Sequence, residues 1–488
     1  MATVTAEART KTGFESMREF MAALERKKLI HRIDVPVEKD REVGGICREN
    51  FDKHGPAMLF NKVGNFRTPL LVGTLATRER YALALGVEPT VEAIAAKWRE
   101  AYAHPIKAVT IPRSAAPCKE VILDKVDLYA DPFPVPRWHD LDGGPEIGTL
   151  HGAISCDPDT GWHNVGTYRQ EIFNSTTIGT LIGSVPYRHI RMHWDKWKER
   201  GAKTMPVAVC FGPDPYITLT GVSAVPAEVD EYDVAGGLKG SPVELVKAEL
   251  SDLLVPAHAE IIIEGEMPTD KFWPLEGPFG EYPGYMGPAV KDSFYIEIKK
   301  VTHRKDPIFM GTYEGRPPNE STTVRTMGRS AAVLEQLRRA GLVGIKDVCV
   351  TEAGCAGFHV NVSIKKSYAG HVRDVMFHVW GNPILFCKHV TVVDEDIDPW
   401  NSFLVEWAIA TRVQAIRDII LVPGGKSGIL DPSQVVSRRG ESELMGIDAT
   451  KPLDEYARDG APYPASTDPS SETMTLVRRR WKEYGFPE

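Results

Sequence analysis

The chain has 488 residues, of which 42% are hydrophobic and 25% charged, with 58 Lys and Arg against 66 Asp and Glu for a net charge of -8. That is ordinary globular composition, long enough for about three domains and for a full core. It excludes collagen-like, disordered and disulfide-scaffold classes, and the absence of a strongly basic segment argues against nucleic acid as a partner. The seven cysteines (47, 118, 156, 210, 349, 355 and 387) are odd in number and show no CxxC spacing, as expected of reduced thiols. The start, MATVTAEARTKTGF, has no apolar signal core, and no run of 18 apolar residues predicts a membrane span. A cytoplasmic protein is expected.

Apolar residues at 14, 17, 20, 21 and 24 predict a first helix, followed by a strand over 30–35 with Ile33 and Val35 on one face. Further strands are expected at 58–63 and 69–72 and a helix over 91–102. The Pro-rich passage 111–138 marks an irregular connection. From 147 to 302 the pattern is mostly β, with strand signals at 260–267 and 294–301, the latter placing Phe294, Ile296 and Ile298 on one face. Helical stretches are expected around 189–200 and 241–251. From 320 onward αβ alternation returns: helices at 331–340, 370–379 and 402–416, strands at 345–351, 358–364 and 384–393, and a loop over 422–433. A last helix near 471–484 carries Met474, Val477, Trp481 and Tyr484 on one face, a stripe that must dock on its own chain or on another subunit.

Five segments carry chemistry. In HNVGTYRQEIF (163–173), Asn164 and Arg169 can point into one cavity, and Gly166 lets backbone approach a ligand; the plainer alternative is a strand with one paired arginine. In YRHIRMHWDKW (187–197), His189 and His193 share a helix face, but no glutamate follows His189, so a zinc-protease motif is excluded. In DEYDVAGGLKG (230–240), Asp230, Glu231 and Asp233 read as acidic residues in a turn. In LEGPFGEYPGYMG (275–287), four glycines and two prolines forbid a helix and hold Glu276 and Glu281 in a shaped loop. Paired carboxylates in such a loop suit general acid work. In FCKHVTVVDEDIDPWN (386–401), Lys388 lies at a sheet edge or reaches an anion. No P-loop, GxGxxG or GxSxG is present.

Together these segments, and the stretch FESMREFMAALERKKLIHRIDVPVEKDREVGGI, resemble the UbiD family of prenylated-FMN-dependent decarboxylases, nearest its ferulate-decarboxylase-like branch. The resemblance spans nearly the whole chain. It implies an α+β fold: an N-terminal α+β domain (1–118), a central split β-barrel that binds the flavin (119–318), a C-terminal αβ oligomerisation domain (319–470) and a docking helix (471–488). It implies that Asn164, His189 and Glu231 hold a divalent metal, usually Mn2+, on the cofactor phosphate; amide, imidazole and carboxylate ligands suit such an ion. It places Val165, Gly166, Thr167, Tyr168, Arg169, Arg188 and Lys388 at the cofactor, with Lys388 on its phosphate and K+ nearby around 220–226.

By the same resemblance the catalytic set is Arg169, Glu276 and Glu281. Glu281 donates the proton after CO2 leaves, and the Arg169–Glu276 pair orients it. The implied reaction is reversible, non-oxidative decarboxylation of an aromatic, heteroaromatic or α,β-unsaturated acid. Arg188 stands where ferulate decarboxylases usually carry Gln, which favours a heteroaromatic acid of pyrrole-, indole- or phenazine-carboxylate type. Thr323, Arg325 and Met327, in RPPNESTTVRTMG (316–328), are further expected substrate contacts. A flavin prenyltransferase is expected to supply the cofactor, and a homodimer or larger homo-oligomer is implied. The alternatives are an ordinary flavin oxidoreductase on a split barrel and a non-catalytic flavin-binding protein.

Overall fold

The computed structural model describes residues 13–486 apart from 124, 184–187, 224, 383–384 and 454–460. Ala224, within the expected K+ segment, and Tyr187, ahead of Arg188, lie outside the described residues.

The first helix, Met17–Arg26, starts where Ser16 accepts the backbone N–H of Glu19, and it buries Met17, Phe20, Met21 and Leu24. The strand Ile30–Ile33 ends two residues early, leaving Val35 exposed. It runs parallel to Ala57–Phe60, which pairs antiparallel with Leu70–Val72. A fourth strand, Phe309–Met310, completes this N-terminal sheet from more than 200 residues downstream and so ties the first domain to the end of the second.

The middle of the chain is a ten-stranded, largely antiparallel sheet that curls into a half-barrel. Its longest strand, Val290–His303, pairs with Thr177–Thr180 on one side and Ile261–Pro268 on the other. Phe294, Ile296 and Ile298 are buried as the alternation predicts. Three segments differ from expectation. The stretch 241–251 holds a strand, Glu244–Lys247, not a helix. The acidic stretch at 230–240 is not a turn. Asp230 caps a helix, Glu231–Lys239, by accepting the N–H of Tyr232. Gly236 and Gly237 sit inside that helix because a Cβ there would come within 2.3 Å of Ile106 O and 2.8 Å of Ala101 O. The helix expected at 331–340 begins earlier, at Glu320, where Asn319 and Thr322 form a reciprocal cap.

The helix Glu320–Arg339 packs on Val91–Ala103 of the first domain and on the strand Ile345–Val350 of the third. The third domain is a five-stranded mixed sheet, in order Ile345–Val350, His359–Ile364, His389–Asp394, Glu441–Ala449 and Ile419–Lys426. The last of these strands runs into the stretch expected as a loop. The terminal helix Ser471–Arg479 and the turn Trp481–Tyr484 bury no residue. Trp481 stacks on Phe486, 4.4 Å between ring centroids. Among the described residues no helix is long and apolar enough to cross a membrane.

Candidate active site

The arginine and two glutamates singled out in the sequence converge. Arg169 follows the strand His163–Gly166 and precedes Gln170–Asn174. Its Nε donates to Glu276 Oε1 at 2.9 Å and its Nη1 to Glu281 Oε1 at 2.5 Å. Glu276 is 1% and Glu281 8% exposed. Burial opposes the arginine's charge, but Glu281 and then Glu276 overcome it and raise its pKa, so the guanidinium stays charged. Ser293 Oγ donates to the second oxygen of Glu276. Between the two acids, Gly277 takes φ +79° and donates its N–H to Glu171 Oε2 at 2.6 Å. One guanidinium fork therefore orders both carboxylates in a water-poor setting.

The loop is clamped from a side that sequence reasoning missed. Asp142 Oδ1 accepts the N–H of Gly280 at 2.9 Å, and Gly143 donates its N–H to Pro278 O at 2.7 Å. His139 bridges Asp142 (3.1 Å from Nδ1) and Glu314 O (2.7 Å from Nε2). Glu146 is fully buried beside this cluster, and burial, then Glu171 and Glu276, push its carboxyl well above the usual range. The local sign of the clamp was the i,i+3 pair His139 and Asp142 just after the Pro-rich passage.

The second set forms around the strand His163–Gly166. Val165 donates its N–H to Glu231 Oε2 at 3.3 Å, and His189 Nδ1 lies 3.4 Å from Glu231 Oε1. Burial raises the Glu231 pKa, against a lowering by His189. Asn164 is 2% exposed; Tyr168 donates to its Oδ1 at 3.4 Å, and the other end of its amide has no partner. The two ends of an amide are interchangeable by a flip, so an unpartnered buried end beside an imidazole and a carboxylate fits a divalent cation. Among the described residues no three His, Cys, Asp or Glu side chains converge in this way; the set depends on its asparagine.

At Gly166 a Cβ would come within 2.5 Å of the Tyr168 hydroxyl oxygen and 2.6 Å of its ring. Thr167 donates its hydroxyl to His151 O at 2.7 Å and its N–H to Gly221 O at 3.0 Å. Arg188 precedes the helix His189–Glu199, donates Nη1 to Leu181 O and lies 5.7 Å from the Tyr168 ring centroid. His193 is fully buried and bonded to Ser155 Oγ at 2.9 Å, and burial holds its imidazole down to about 4, so it is structural. Lys388 leads into an interior strand, not a sheet edge, and pairs with Asp431 at 2.9 Å within the third domain, apart from the Arg169 cluster in its described contacts. Thr323 donates to Glu352 at 2.8 Å, and Met327 is buried in the core. Arg325 lies over Tyr282, the residue after Glu281, at 4.4 Å from the ring centroid.

The comparisons make this curled sheet, with one arginine between two buried glutamates, a carboxy-lyase of known family. Residues 21–98, 109–317 and 322–449 match the N-terminal, Rift-related and C-terminal domains of 3-octaprenyl-4-hydroxybenzoate carboxy-lyase. The chain belongs to the UbiD family. An uncharacterized protein of Archaeoglobus fulgidus is 31% identical over 96% of this chain and 98% of its own. The UbiD-class enzyme HmfF from Pelotomaculum thermopropionicum, in complex with FMN, is 32% identical with a TM-score of 0.85, covering 95% of this chain and 99% of that one. An evolved dimeric form of HmfF, in complex with prFMN, is 30% identical with a TM-score of 0.81, covering 93% and 97%. Vanillic acid decarboxylase from Sedimentibacter hydroxybenzoicus, in open form, is 27% identical with a TM-score of 0.84, covering 97% and 100%.

Proposed function

We propose that this protein is a reversible, non-oxidative decarboxylase of an aromatic, heteroaromatic or α,β-unsaturated acid, working with prenylated FMN and with Glu281 as proton donor. The observation that carries this reading is the buried fork of Arg169 across Glu276 and Glu281. A plain flavin oxidoreductase has no task for a second buried acid on that arginine, and a scaffold has no task for either.

When bound, prenylated FMN supplies the electrophilic carbon and the electron sink. Asn164, His189 and Glu231 would hold a divalent metal such as Mn2+, whose charge would offset that of the cofactor's phosphate. Lys388 would have to leave Asp431 to reach that phosphate. K+ would be held by backbone carbonyls near 220–226.

The chain's own residues handle the proton. Arg169 keeps Glu281 in one rotamer while Glu276 shares the guanidinium, and Ser293 fixes the far oxygen of Glu276. As the bond to CO2 breaks, its electron pair is left on the substrate carbon; the carbon then takes the Glu281 proton, and solvent restores it. General acid catalysis of this kind contributes roughly 10²–10⁴-fold.

A flavin prenyltransferase is the proposed cofactor source, and the unburied terminal stripe supports a homodimer or larger assembly. The seven cysteines are free, in keeping with a cytoplasmic setting. The test is the mass of the flavin released from protein co-expressed with a flavin prenyltransferase. A prenylated FMN mass with stoichiometric divalent metal is expected. Plain FMN or no flavin on well-folded protein overturns the reading.

A further inference from the structure

Beside the acid set stands another buried glutamate that the proposed chemistry does not use. Glu146 opens the short strand Glu146–Gly148 and lies opposite Glu171, with Gly148 opposite Gln170. Leu181 donates its N–H to Arg169 O at 3.3 Å, which carries the pairing of Gln170–Asn174 with Thr177–Thr180 back to Arg169. Side chains two apart on a strand share a face, so Arg169, Glu171 and Glu146 project to the same side of the sheet. Glu146 and Arg169 are thus diagonal neighbours across the ladder, a spacing of about 7–8 Å that long side chains can span. Each acts on the other's ionisation. Glu146 Oε2 is buried with no partner. So is Nη2 of Arg169, whose Nε and Nη1 are committed to Glu276 and Glu281.

This pocket is rich in acids. Glu146, Glu171, Glu276, Glu281 and Asp142 are all buried. Asp142 is held by the His139 ring and by the N–H groups of His139 and Gly280, and Glu171 by the N–H of Gly277. Arg137 donates Nε to the backbone oxygen of Asp142 at 2.9 Å and not to its carboxylate. Arg169 is the cation that meets Glu276 and Glu281 and acts on Glu146. Three buried carboxylates cannot all ionise against one guanidinium, so the acid with the weakest hold on it keeps a proton. Glu276 and Glu281 bond to that guanidinium and Glu146 does not. Burial, then Glu171 and Glu276, push the Glu146 carboxyl well above the usual range, and burial also raises that of Glu171.

We infer that Glu146 is a positioning residue for the proton donor. Uncharged, it leaves the Arg169 fork to Glu276 and Glu281. Charged, it takes Nη2, draws the guanidinium away from the two acids and releases Glu281. The alkaline limit of activity is therefore set by Glu146. It acts through Arg169, and the proton delivered to the substrate carbon remains that of Glu281. This rests on the decarboxylase reading for the role of Glu281, but the charge state of Glu146 can be measured without turnover.

The experiment compares flavin-loaded wild type, Glu146→Gln and Glu281→Gln, each co-expressed with a flavin prenyltransferase. Glutamine fixes position 146 in the uncharged state at nearly the same shape. Infrared spectra at neutral pH should show the carbonyl stretch of a buried neutral carboxylic acid in wild type. Glu146→Gln should lose one such band that Glu281→Gln keeps, and in wild type that band should bleach as the pH is raised. The pH dependence of kcat is then measured on whichever of pyrrole-2-carboxylate, indole-3-carboxylate and cinnamate is turned over. Its alkaline fall should move up by roughly one pH unit or more in Glu146→Gln, the size expected when one member of a coupled set is removed. A limb that belongs to Glu281 alone would stay in place or move down once a neighbouring acid is gone, and either result overturns the inference. A neutral-acid band that survives unchanged in Glu146→Gln also overturns it. Glu146→Met, close in volume and uncharged, repeats both measurements if the glutamine variant fails to fold. An unmoved limb in an enzyme that decarboxylates leaves the decarboxylase reading standing. A Glu146-dependent band in flavin-loaded protein that turns over no acid supports the charge assignment and counts against the decarboxylase reading.

Discussion

The carboxylate of Asp142 accepts the backbone N–H of Gly280 at 2.9 Å, one residue ahead of Glu281. The same carboxylate takes the N–H of His139 at 2.8 Å and its ring Nδ1 at 3.1 Å. A side chain at 280 would strike the His139 ring, 2.4 Å from an added Cβ, so the fit is close. Asp142→Ala strands the buried Gly280 N–H, at a cost of about 1–3 kcal/mol. It also frees the proposed proton donor to drift, and a displacement of about 1 Å can cost roughly 100-fold in rate. The expected outcome is a kcat lowered about 10- to 100-fold with flavin content unchanged. Steady-state kinetics beside a flavin absorbance spectrum checks it; an unchanged kcat would show that the clamp is only structural.

Glu281→Gln and Arg169→Met should separate proton supply from charge balance. The glutamine keeps the shape and can still accept from Arg169, but it has no acidic proton to give. Turnover should fall by roughly 10²–10⁴-fold at an unchanged melting temperature. Arg169→Met leaves Glu276 and Glu281 buried without their cation, and removing one partner of a buried pair typically costs about 3–5 kcal/mol. That variant should lose activity and melt several degrees lower. Thermal denaturation of both proteins is the measurement, and a Glu281→Gln protein that still turns over at the wild-type rate removes Glu281 from its role.

The acid loop was legible in the sequence because its cue is local. Glycines and prolines crowding two glutamates within 275–287 leave no regular element to hold them, and the structure buries both acids. The long strand Val290–His303 was legible for a similar reason, its alternation being dense enough to set the buried face. The helix Glu231–Lys239 was not, because adjacent glycines weaken a helix; only the packed neighbours Ile106 and Ala101 explain why this helix tolerates them. The clamp on the acid loop joins 139–143 to 277–281, a long-range contact that no spacing encodes.

Asp214 offers a pH test with a definite sign. It caps the helix Pro215–Gly221, accepting N–H groups of Tyr216 at 2.9 Å and Ile217 at 3.0 Å. Burial pushes its carboxyl up to about 6 from 3.8, although the cap bonds and Lys239 pull the other way. A raised acid favours the folded state fully below its unfolded pKa and loses that contribution as pH rises through the folded value. The charged form is therefore a burden above about pH 6. Asp214→Asn keeps the acceptor without the charge. It should be more stable than wild type by about 1–3 kcal/mol at pH 7.5, with the difference disappearing near pH 4. Urea denaturation at the two pH values decides it, and a wild type more stable at pH 7.5 contradicts the assignment.

Glu231 and His193 give a matched pair for the metal set. Both are buried; Glu231 meets His189, His193 meets Trp162, whose ring also meets His189, and removal of either should weaken the fold. Their partners differ. Glu231 meets His189 and the N–H of Val165, next to the half-unpartnered amide of Asn164, whereas His193 spends its Nδ1 on Ser155 Oγ. If the first group holds the cation, Glu231→Ala should lower metal affinity by at least about 10- to 100-fold, the loss seen even for supporting residues of metal sites, and flavin retention should fall with it. His193→Ala should lower the melting temperature and leave metal and flavin in place. Elemental analysis and flavin absorbance on protein co-expressed with a flavin prenyltransferase read both quantities from one sample. Equal metal content in the two variants would move the cation away from Asn164, His189 and Glu231, because no structural role of Glu231 predicts a loss that follows the metal and spares the histidine variant.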